Sequence, residues 1–411
     1  MTGGVDSIEF IRHKVATHRR HYIDADDVKV VLSRLPEELW ARLKKVHFKD
    51  DARGIRVLGY TTTRGRREIT ICALPRHVSL LRTLCKRPPE EFGALRGSQW
   101  PTLAVRRQIL YDTFLHELGH LQVVHPAAKR PQRKFASETL AQQFADEWRD
   151  QLWSSRFDHP DPVHNPPDRE ELAALEAGWS ESHALLKKGH ACERATDKSA
   201  AIEYYGRALE HYRHPEALEG LGRLTYALDD ASGGSNTDQQ ALDYLQEALD
   251  RDPALPDANL YAALALDRLD RREEAHRQFQ RAIEVDAYHD IAAWQHAVAL
   301  SNWGESQQAE PIFRRIIKRD PKFSDALRDY ARLLMYRSDD YVDSDTRRAI
   351  DLLERAIAVK PDKAEYHYLA GLCHSWLAGE REAARHYVEA ALSLDPGHEG
   401  AIELQAELTD A

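Results

Sequence analysis

The chain has 411 residues, of which 42% are hydrophobic and 30% are charged, and its formal net charge is −10. This length predicts two or three domains rather than one core. The absence of any run of about 18 apolar residues excludes a membrane-spanning helix. The first residues lack an apolar segment, so we expect no signal peptide. The four cysteines form no Cys-x-x-Cys pair, which argues against a cysteine metal site and favours a reducing, cytoplasmic location.

Charge is distributed unevenly along the chain. Residues 1–160 contain 28 Lys and Arg against 19 Asp and Glu, whereas the remainder contains 29 against 48. Such a split predicts two modules with different surfaces. The basic half is suited to an acidic partner or to the acidic half of the same chain. Two independently solvated surfaces are the alternative.

The first 155 residues combine helical and strand-like patterns, which predicts an α+β domain. Apolar residues recur with helical periodicity in three segments, and two others have strand composition. The expected helices span residues 24–45, 102–124 and 135–153, and the expected strands span 54–63 and 67–74. Residues 86–101 have the composition of a loop. We assign 1–155 to this domain and 156–178, with its stretch "DHPDPVHNPP", to a stiff proline-rich linker.

Residues 179–411 repeat a small–large–small pattern, for example Ala201–Tyr205–Ala208. Its instances begin at Ala201, Ala241, Ala275, Ala309, Ala349 and Ala384, and the second, third and fourth are 34 residues apart. This period and pattern resemble the tetratricopeptide repeat (TPR), a helix–turn–helix unit. Each unit leaves an apolar face for its neighbour, so the resemblance implies a solenoid with a concave binding surface. We predict six repeats, followed by a capping helix over 397–410.

The stretch "HELGH" at residues 116–120 places two histidines four residues apart inside an expected helix. Residues at this spacing share one helical face, so His116 and His120 can direct nitrogens at one Zn²⁺ ion. Glu117 would then act as the general base that deprotonates a water for attack on a peptide carbonyl. The alternative is a chance match in a chain with 21 histidines.

A catalytic zinc site requires a third protein ligand. His125 follows closely, but its spacing from His120 turns it away from the shared helical face. Glu138 begins the next expected helix, and Asp146 with Glu147 lies two turns further along it. A glutamate on that neighbouring helix would complete a site of two histidines and one carboxylate, so both His125 and Glu138 remain candidates.

The stretches "HELGHLQVVHP" and "ETLAQQFADEW" together resemble the ImmA/IrrE family of bacterial metallopeptidases, which pairs HELGH with a helix containing Glu-x-x-Ala-x-x-Phe-Ala. The matching positions of that second helix are Glu138, Ala141, Phe144 and Ala145. The resemblance implies a gluzincin-type, zincin-like fold with His116, His120 and Glu138 as zinc ligands and Glu117 as catalytic base. It covers about residues 40–150. The helix-turn-helix domain of many family members is not evident, and the repeats stand in its place.

Several further residues are weaker candidates. Tyr60, Tyr111 and His125 are candidates for stabilising an oxyanion, although each residue type is more often packed or solvated. Asp112 lies one turn before His116 and is a candidate for orienting it. The basic run at 129–134 is better explained as a solvated loop than as a nucleic-acid contact.

Two functions follow from these features. The first is a zinc-dependent metalloendopeptidase that cleaves a protein substrate recruited or regulated through its TPR array. The alternative is a non-catalytic TPR scaffold protein with a zincin-like binding module. In both cases we expect a protein or peptide partner, and neither a membrane nor a nucleic acid.

Overall fold

The computed structural model describes residues 4–410, with gaps at 17–18, 51–57, 63–66, 76–86, 123–130, 156, 158, 229–234, 287–288 and 338–342. The described residues form two compact units, 1–288 and 289–411, each with its own buried core. Across these residues, no helix combines the length and the apolar character that crossing a membrane requires.

The N-terminal residues form a mixed four-stranded sheet and a short two-stranded one. Their strands are β1 Glu9–Arg12, β2 Arg19–Arg20, β3 Lys45–Lys49, β4 Gly59–Thr62, β5 Glu68–Cys72 and β6 Leu74–Pro75. The larger sheet has the order β1–β3–β5–β4, in which only β4 runs antiparallel to its neighbour, and β2 pairs with β6. The expectation of two strands around a turn agrees with β4 and β5. The sequence patterns did not reveal β1 and β3.

The prediction of a single helix over residues 24–45 is wrong beyond Arg34. Helix α1 spans Ala25–Arg34 and is started by a capping box between Asp24 and Asp27, and α2 spans only Glu37–Trp40. Pro36 separates the two helices because proline lacks the N–H that would continue α1. Residue Lys45 already belongs to β3. Tertiary pairing therefore overrides the helical periodicity at this end.

The expected helix over 102–124 is present as one continuous element up to Gln122, and residues 123–124 lie outside the described part of the chain. It consists of α3 (Thr102–Gln108), a π-helical segment (Ile109–Phe114) and α4 (Leu115–Gln122). Helix α5, Pro131–Ser154, contains the expected helix 135–153 and packs against α4. The expected loop 86–101 includes a short 3₁₀ helix at Pro89–Phe92, and Phe92 is fully buried.

The rest of the chain is a series of helix pairs. The helices are α6 Arg169–Arg194, α7 Lys198–His211, α8 Pro215–Leu228, α9 Ser235–Arg251, α10 Pro256–Arg268, α11 Arg272–Val285, α12 Asp290–Asn302, α13 Ser306–Arg319, α14 Ser324–Tyr336, α15 Asp343–Val359, α16 Ala364–Trp376, α17 Arg381–Leu394 and α18 Glu399–Asp410. Each pair from α6–α7 to α16–α17 packs together. The six alanines that define the repeats are all fully buried. The described helices thus form six packed pairs followed by α18, which lies within the range of the expected capping helix.

The segment between the two parts of the chain is shorter and less exposed than a linker of 156–178 would be. Helix α6 begins at Arg169, and Asp161, Val163 and His164 are buried. Repeats one to three also belong to the same compact unit as the N-terminal residues. This segment therefore packs into the fold instead of acting as a spacer.

A buried arginine joins the N-terminal residues to the repeats. Arg106 of α3 is 0% exposed. Its guanidinium donates to Asp27 of α1 at 3.1 Å, to Asp161 at 3.0 and 2.5 Å, and to Asp252 at the end of α9 at 3.4 Å. Removing one partner of such a buried pair costs about 3–5 kcal/mol, because it leaves an uncompensated charge. An acidic residue of the repeats, Asp252, thus pairs with a basic residue of the N-terminal domain. This agrees with the alternative that the acidic half of the chain is a partner for its basic half.

The carboxylates around Arg106 differ in the direction of their pKa shifts. Burial raises the pKa of Asp27 to about 7, aided by the neighbouring charges of Asp24 and Asp161 and opposed by Arg106. For Asp161, burial is outweighed by the charge and hydrogen bonds of Arg106, which hold its pKa below the usual value. His164, 3.9 Å from Asp27, has a pKa lowered to about 3, chiefly by burial, so it stays neutral above that pH.

The raised pKa of Asp27 predicts a pH-dependent stability. The folded state holds the Asp27 proton more tightly than the unfolded state, so this group's contribution to the free energy of unfolding falls as pH rises from 3.8 to about 7. The steepest loss is about 1.4 kcal/mol per pH unit. Asp27→Asn should flatten this part of a urea-unfolding profile measured against pH. The exposed Asp26→Asn is the control, and identical profiles for Asp27→Asn and wild type would contradict the assignment.

The packing also predicts which fragments fold. A fragment of residues 1–160 lacks both Asp161 and Asp252, which leaves Arg106 with one of its three carboxylates. We expect it to lose cooperative thermal unfolding, whereas a fragment of residues 1–288 keeps it. Near-ultraviolet circular dichroism and calorimetry of the two fragments make the comparison. A 1–160 fragment that melts as sharply and at the same temperature as 1–288 would show that the repeats are dispensable.

Candidate metal centre

Three side chains of α4 and α5 bring potential metal ligands together. His116 Nε2 lies 3.1 Å from His120 Nε2 and 3.3 Å from Glu138 Oε2, and His120 Nε2 lies 3.5 Å from the same carboxylate oxygen. Among the described residues, these three form the group of His, Cys, Asp and Glu side chains suited to hold an ion. The structure thus brings together the two histidines of HELGH and the carboxylate that the family resemblance implied.

The spacing of these three atoms fits zinc. Ligands placed tetrahedrally at about 2.0–2.1 Å from Zn²⁺ lie about 3.3–3.4 Å from one another, and the observed separations are 3.1, 3.3 and 3.5 Å. Two imidazoles with one carboxylate are a donor set that zinc accepts while keeping a fourth position open. Both histidines are partly buried, whereas the Glu138 side chain is 50% exposed, so the site faces solvent on one side.

A close approach of two backbones makes this convergence possible. Gly119 lies in α4 between the histidines, and a Cβ atom at this position would come within 2.9 Å of the Ala141 carbonyl oxygen and 3.0 Å of its Cα. Only a glycine therefore allows α5 to pack this closely. Ala141 lies one turn after Glu138, so the same contact brings the carboxylate within reach of the histidines.

Gln142 orients His116. Its amide nitrogen donates to Asp112 at 2.9 Å and to Asp146 at 3.1 Å, and its Oε1 lies 3.1 Å from His116 Nδ1. Ionised carboxylates only accept hydrogen bonds, so these contacts fix the direction of the amide. His116 must then donate from Nδ1, which leaves the Nε2 lone pair free for a metal. For His120, the corresponding contact is Ser137 Oγ, 3.4 Å from Nδ1.

Glu117 lies beside the histidines and is held by the sheet. It is 7% exposed, and the Thr61 hydroxyl of edge strand β4 lies 2.8 Å from Glu117 Oε2. Burial raises the pKa of Glu117, whereas the hydrogen bond to Thr61 and the charge of His116 oppose this change. Burial also lowers the pKa of His120, which favours the neutral imidazole that a metal requires.

The weaker candidates fall in different places. Tyr60 alternates with Thr61 along β4, so its side chain projects to the sheet face opposite Glu117. The assignment of Tyr111 to the site is wrong, because its ring is fully buried against Trp153 and its hydroxyl lies 2.9 Å from His164 Nδ1. Asp112 accepts a hydrogen bond from Gln142, which in turn contacts His116. His125 and residues 129–130 of the basic run 129–134 lie outside the described residues.

Sequence patterns did not reveal Gln142, Ser137 and Thr61. A signal existed for Gln142, since it follows Glu138 by one helical turn and therefore shares its face. No such signal existed for Thr61, because its contact depends on how β4 packs against α4. The side chains that orient the site are therefore set mainly by tertiary packing.

Comparison with known proteins identifies the repeats. The tetratricopeptide repeat family matches residues 186–256 and 338–399, so these segments are TPR repeats. This match does not reach residues 1–155, for which the ImmA/IrrE resemblance stays a prediction. No curated protein matches the chain.

Several solved structures are similar to the chain. YrrB, described as a TPR protein with an unusual peptide-binding site, is 17% identical, covers 50% of this chain and 99% of its own, and has a TM-score of 0.39. PilW, a type IV pilus biogenesis factor, is 19% identical over 54% of this chain and 97% of its own, with a TM-score of 0.47. PilF of Pseudomonas aeruginosa is 17% identical over 57% and 99%, with a TM-score of 0.46.

The hydrogen bonds of Gln142 predict a change in metal affinity. Gln142→Met keeps the side-chain length but removes the acceptor for His116 Nδ1, so zinc affinity should fall about 10–100-fold. Competition with a zinc-binding dye measures this change. The neighbouring Gln143 is exposed, and Gln143→Met is the matched control. Equal affinities for Gln142→Met and wild type would mean that Gln142 does not orient the ligand.

Proposed function

We propose that this chain is a protein-interaction scaffold that binds a protein or peptide through its TPR repeats and carries a zinc-binding module at its N-terminus. The TPR match over 186–256 and 338–399 is the observation that carries the scaffold. The convergence of His116, His120 and Glu138 supports the zinc module. The first three repeats lie in the same compact unit as these residues, so a partner bound there would be held on the body that contains the metal centre.

A second candidate function, zinc-dependent peptide-bond hydrolysis, is favoured by the position of Glu117. Zinc, when bound, supplies the Lewis acidity that activates water at neutral pH. Glu117 is buried next to both histidines, and Thr61 holds its Oε2. In this role, the Glu117 carboxylate accepts the proton of the attacking water and later returns it to the leaving amine. A module that only binds zinc does not need a buried carboxylate beside the ligands.

The sheet edge supplies a place for a peptide. Among the described strands, β4 lies at the edge of the four-stranded sheet, and an edge strand presents backbone groups that an extended peptide can pair with. Thr61 of β4 contacts Glu117. A peptide added to β4 would therefore run past the carboxylate.

Metal binding is the first test of the proposal. His116→Ala should reduce stoichiometric zinc, measured by mass spectrometry of the metal, to background. The exposed His386→Ala in the last repeat is the control. Because each repeat depends on its neighbours, the helical circular dichroism of the array should survive in both variants. Full zinc occupancy in His116→Ala would show that His116 is not a zinc ligand and would contradict the proposed zinc module.

Glu117→Gln separates the two candidate functions. This change keeps the side-chain shape and the zinc ligands but removes the base, which should slow hydrolysis by about 10²–10⁴-fold. The measurement compares new protein N-termini in a cell extract after incubation with wild type or with Glu117→Gln. Cleavage products that depend on Glu117 and disappear with a chelator support the peptidase. Identical N-termini in both samples would leave the scaffold with a non-catalytic zinc module.

A further inference from the structure

The second compact unit contains a groove between two second helices of adjacent repeats. Its volume is about 600 Å³, and it is lined by residues of α13 and α15, by Pro321 between α13 and α14, and by Tyr330 of α14. Ile317, Leu352 and Tyr330 are each less than 9% exposed and form its floor. The groove therefore has an apolar base large enough for a few side chains of a bound segment.

Basic side chains surround this floor. The lining cations are Arg314, Lys318, Arg347, Arg348 and Arg355, and the lining contains one carboxylate, Asp351. Residues 289–411 as a whole carry 15 Lys and Arg against 22 Asp and Glu. The groove is thus a local basic site on a unit whose overall charge is negative.

The four arginines pair with carboxylates, and their side chains stay partly exposed to solvent. Arg314 and Arg348 pair with Glu310, at 2.6 and 3.0 Å, and both also contact the Tyr330 hydroxyl. These contacts hold the two arginines beside the floor, where their side chains are 61% and 40% exposed. The Arg347 side chain remains 61% exposed beside Glu380, the Arg355 side chain 41% exposed beside Asp351, and Lys318 is exposed.

We infer that this groove binds a short acidic segment of a partner protein, with carboxylates on the basic rim and an apolar side chain on the floor. Complementary charge at the rim and apolar contact at the centre are what a peptide interface requires. A nucleic acid fits less well, because it would extend past the groove onto an acidic surface that repels phosphates. The groove lies outside the unit that contains the metal centre, so this inference does not depend on zinc.

Binding of a labelled peptide to the full-length protein tests the inference. The probe is a fluorescein-labelled peptide in which Glu and Leu alternate, followed by fluorescence anisotropy. Two further peptides replace every Glu by Gln or every Leu by Ser, and labelled oligothymidylate represents nucleic acid. The Glu–Leu peptide should bind most tightly, and its affinity should fall as salt is added, because the rim charges are exposed.

Substitutions then locate the site. The double variant Lys318→Ala/Arg347→Ala should weaken binding of the Glu–Leu peptide about tenfold, since two exposed cations of the rim are removed. Arg332→Ala removes an exposed arginine of the same unit outside the groove and should bind like wild type. If circular dichroism shows that the double variant is misfolded, Arg355→Ala replaces it, with a smaller loss expected.

Three results would overturn the inference. The first is that the Glu–Leu peptide does not bind to the wild-type protein. The second is that the folded groove variants bind this peptide as tightly as wild type does. The third is that oligothymidylate binds more tightly than the peptide and that this binding is lost in the same variants. The last result would assign the groove to nucleic acid.

Discussion

A guanidinium with no access to water must have anionic partners, and Arg106 obtains three of them from distant parts of the chain. Asp27, Asp161 and Asp252 are separated from it by 79, 55 and 146 residues. Satisfying this one charge therefore requires α1, the segment after α5 and the end of α9 to meet at α3. This requirement ties the N-terminal sheet to the first repeats. Burial raises the pKa of Asp27, and the charge of Arg106 opposes this rise only in part.

The same continuous helical element that contains Arg106 carries two of the three candidate zinc ligands, His116 and His120. From α3 the chain continues through the π-helical segment into α4 without interruption, and π segments are frequent at functional sites. Asp112 lies in that segment and holds Gln142, which in turn orients His116. The contact between Gly119 and Ala141 then sets the distance to α5. The positions of the metal ligands thus depend on the anchoring of α3, although none of them touches Arg106.

The sequence predicted features that repeat or are local, and it missed those that depend on distant partners. Spacing alone paired His116 with His120, and periodicity predicted the TPR repeats. Glu138 followed from the family resemblance. The prediction of a helix beyond Arg34 was wrong, because Pro36 ends the helix and the residues after it pair as strand β3 despite their helical periodicity. The prediction that Tyr111 stabilises an oxyanion was wrong, because the sequence does not indicate which side of the helix before His116 faces the core. The partners of Arg106 have no local signature at all.

The net charge of a sequence segment does not predict which surface of this protein presents accessible charges to a partner. Part of the basic charge of residues 1–160 lies inside the fold, where the buried Arg106 and Arg107 pair with Asp252 and Glu171 of the repeats. Those cations are not available to an outside partner. In the acidic remainder, by contrast, Lys318 and Arg347 are exposed beside an apolar floor. Exposure and local neighbours, rather than the net charge of a segment, therefore decide which surface can attract an acidic partner.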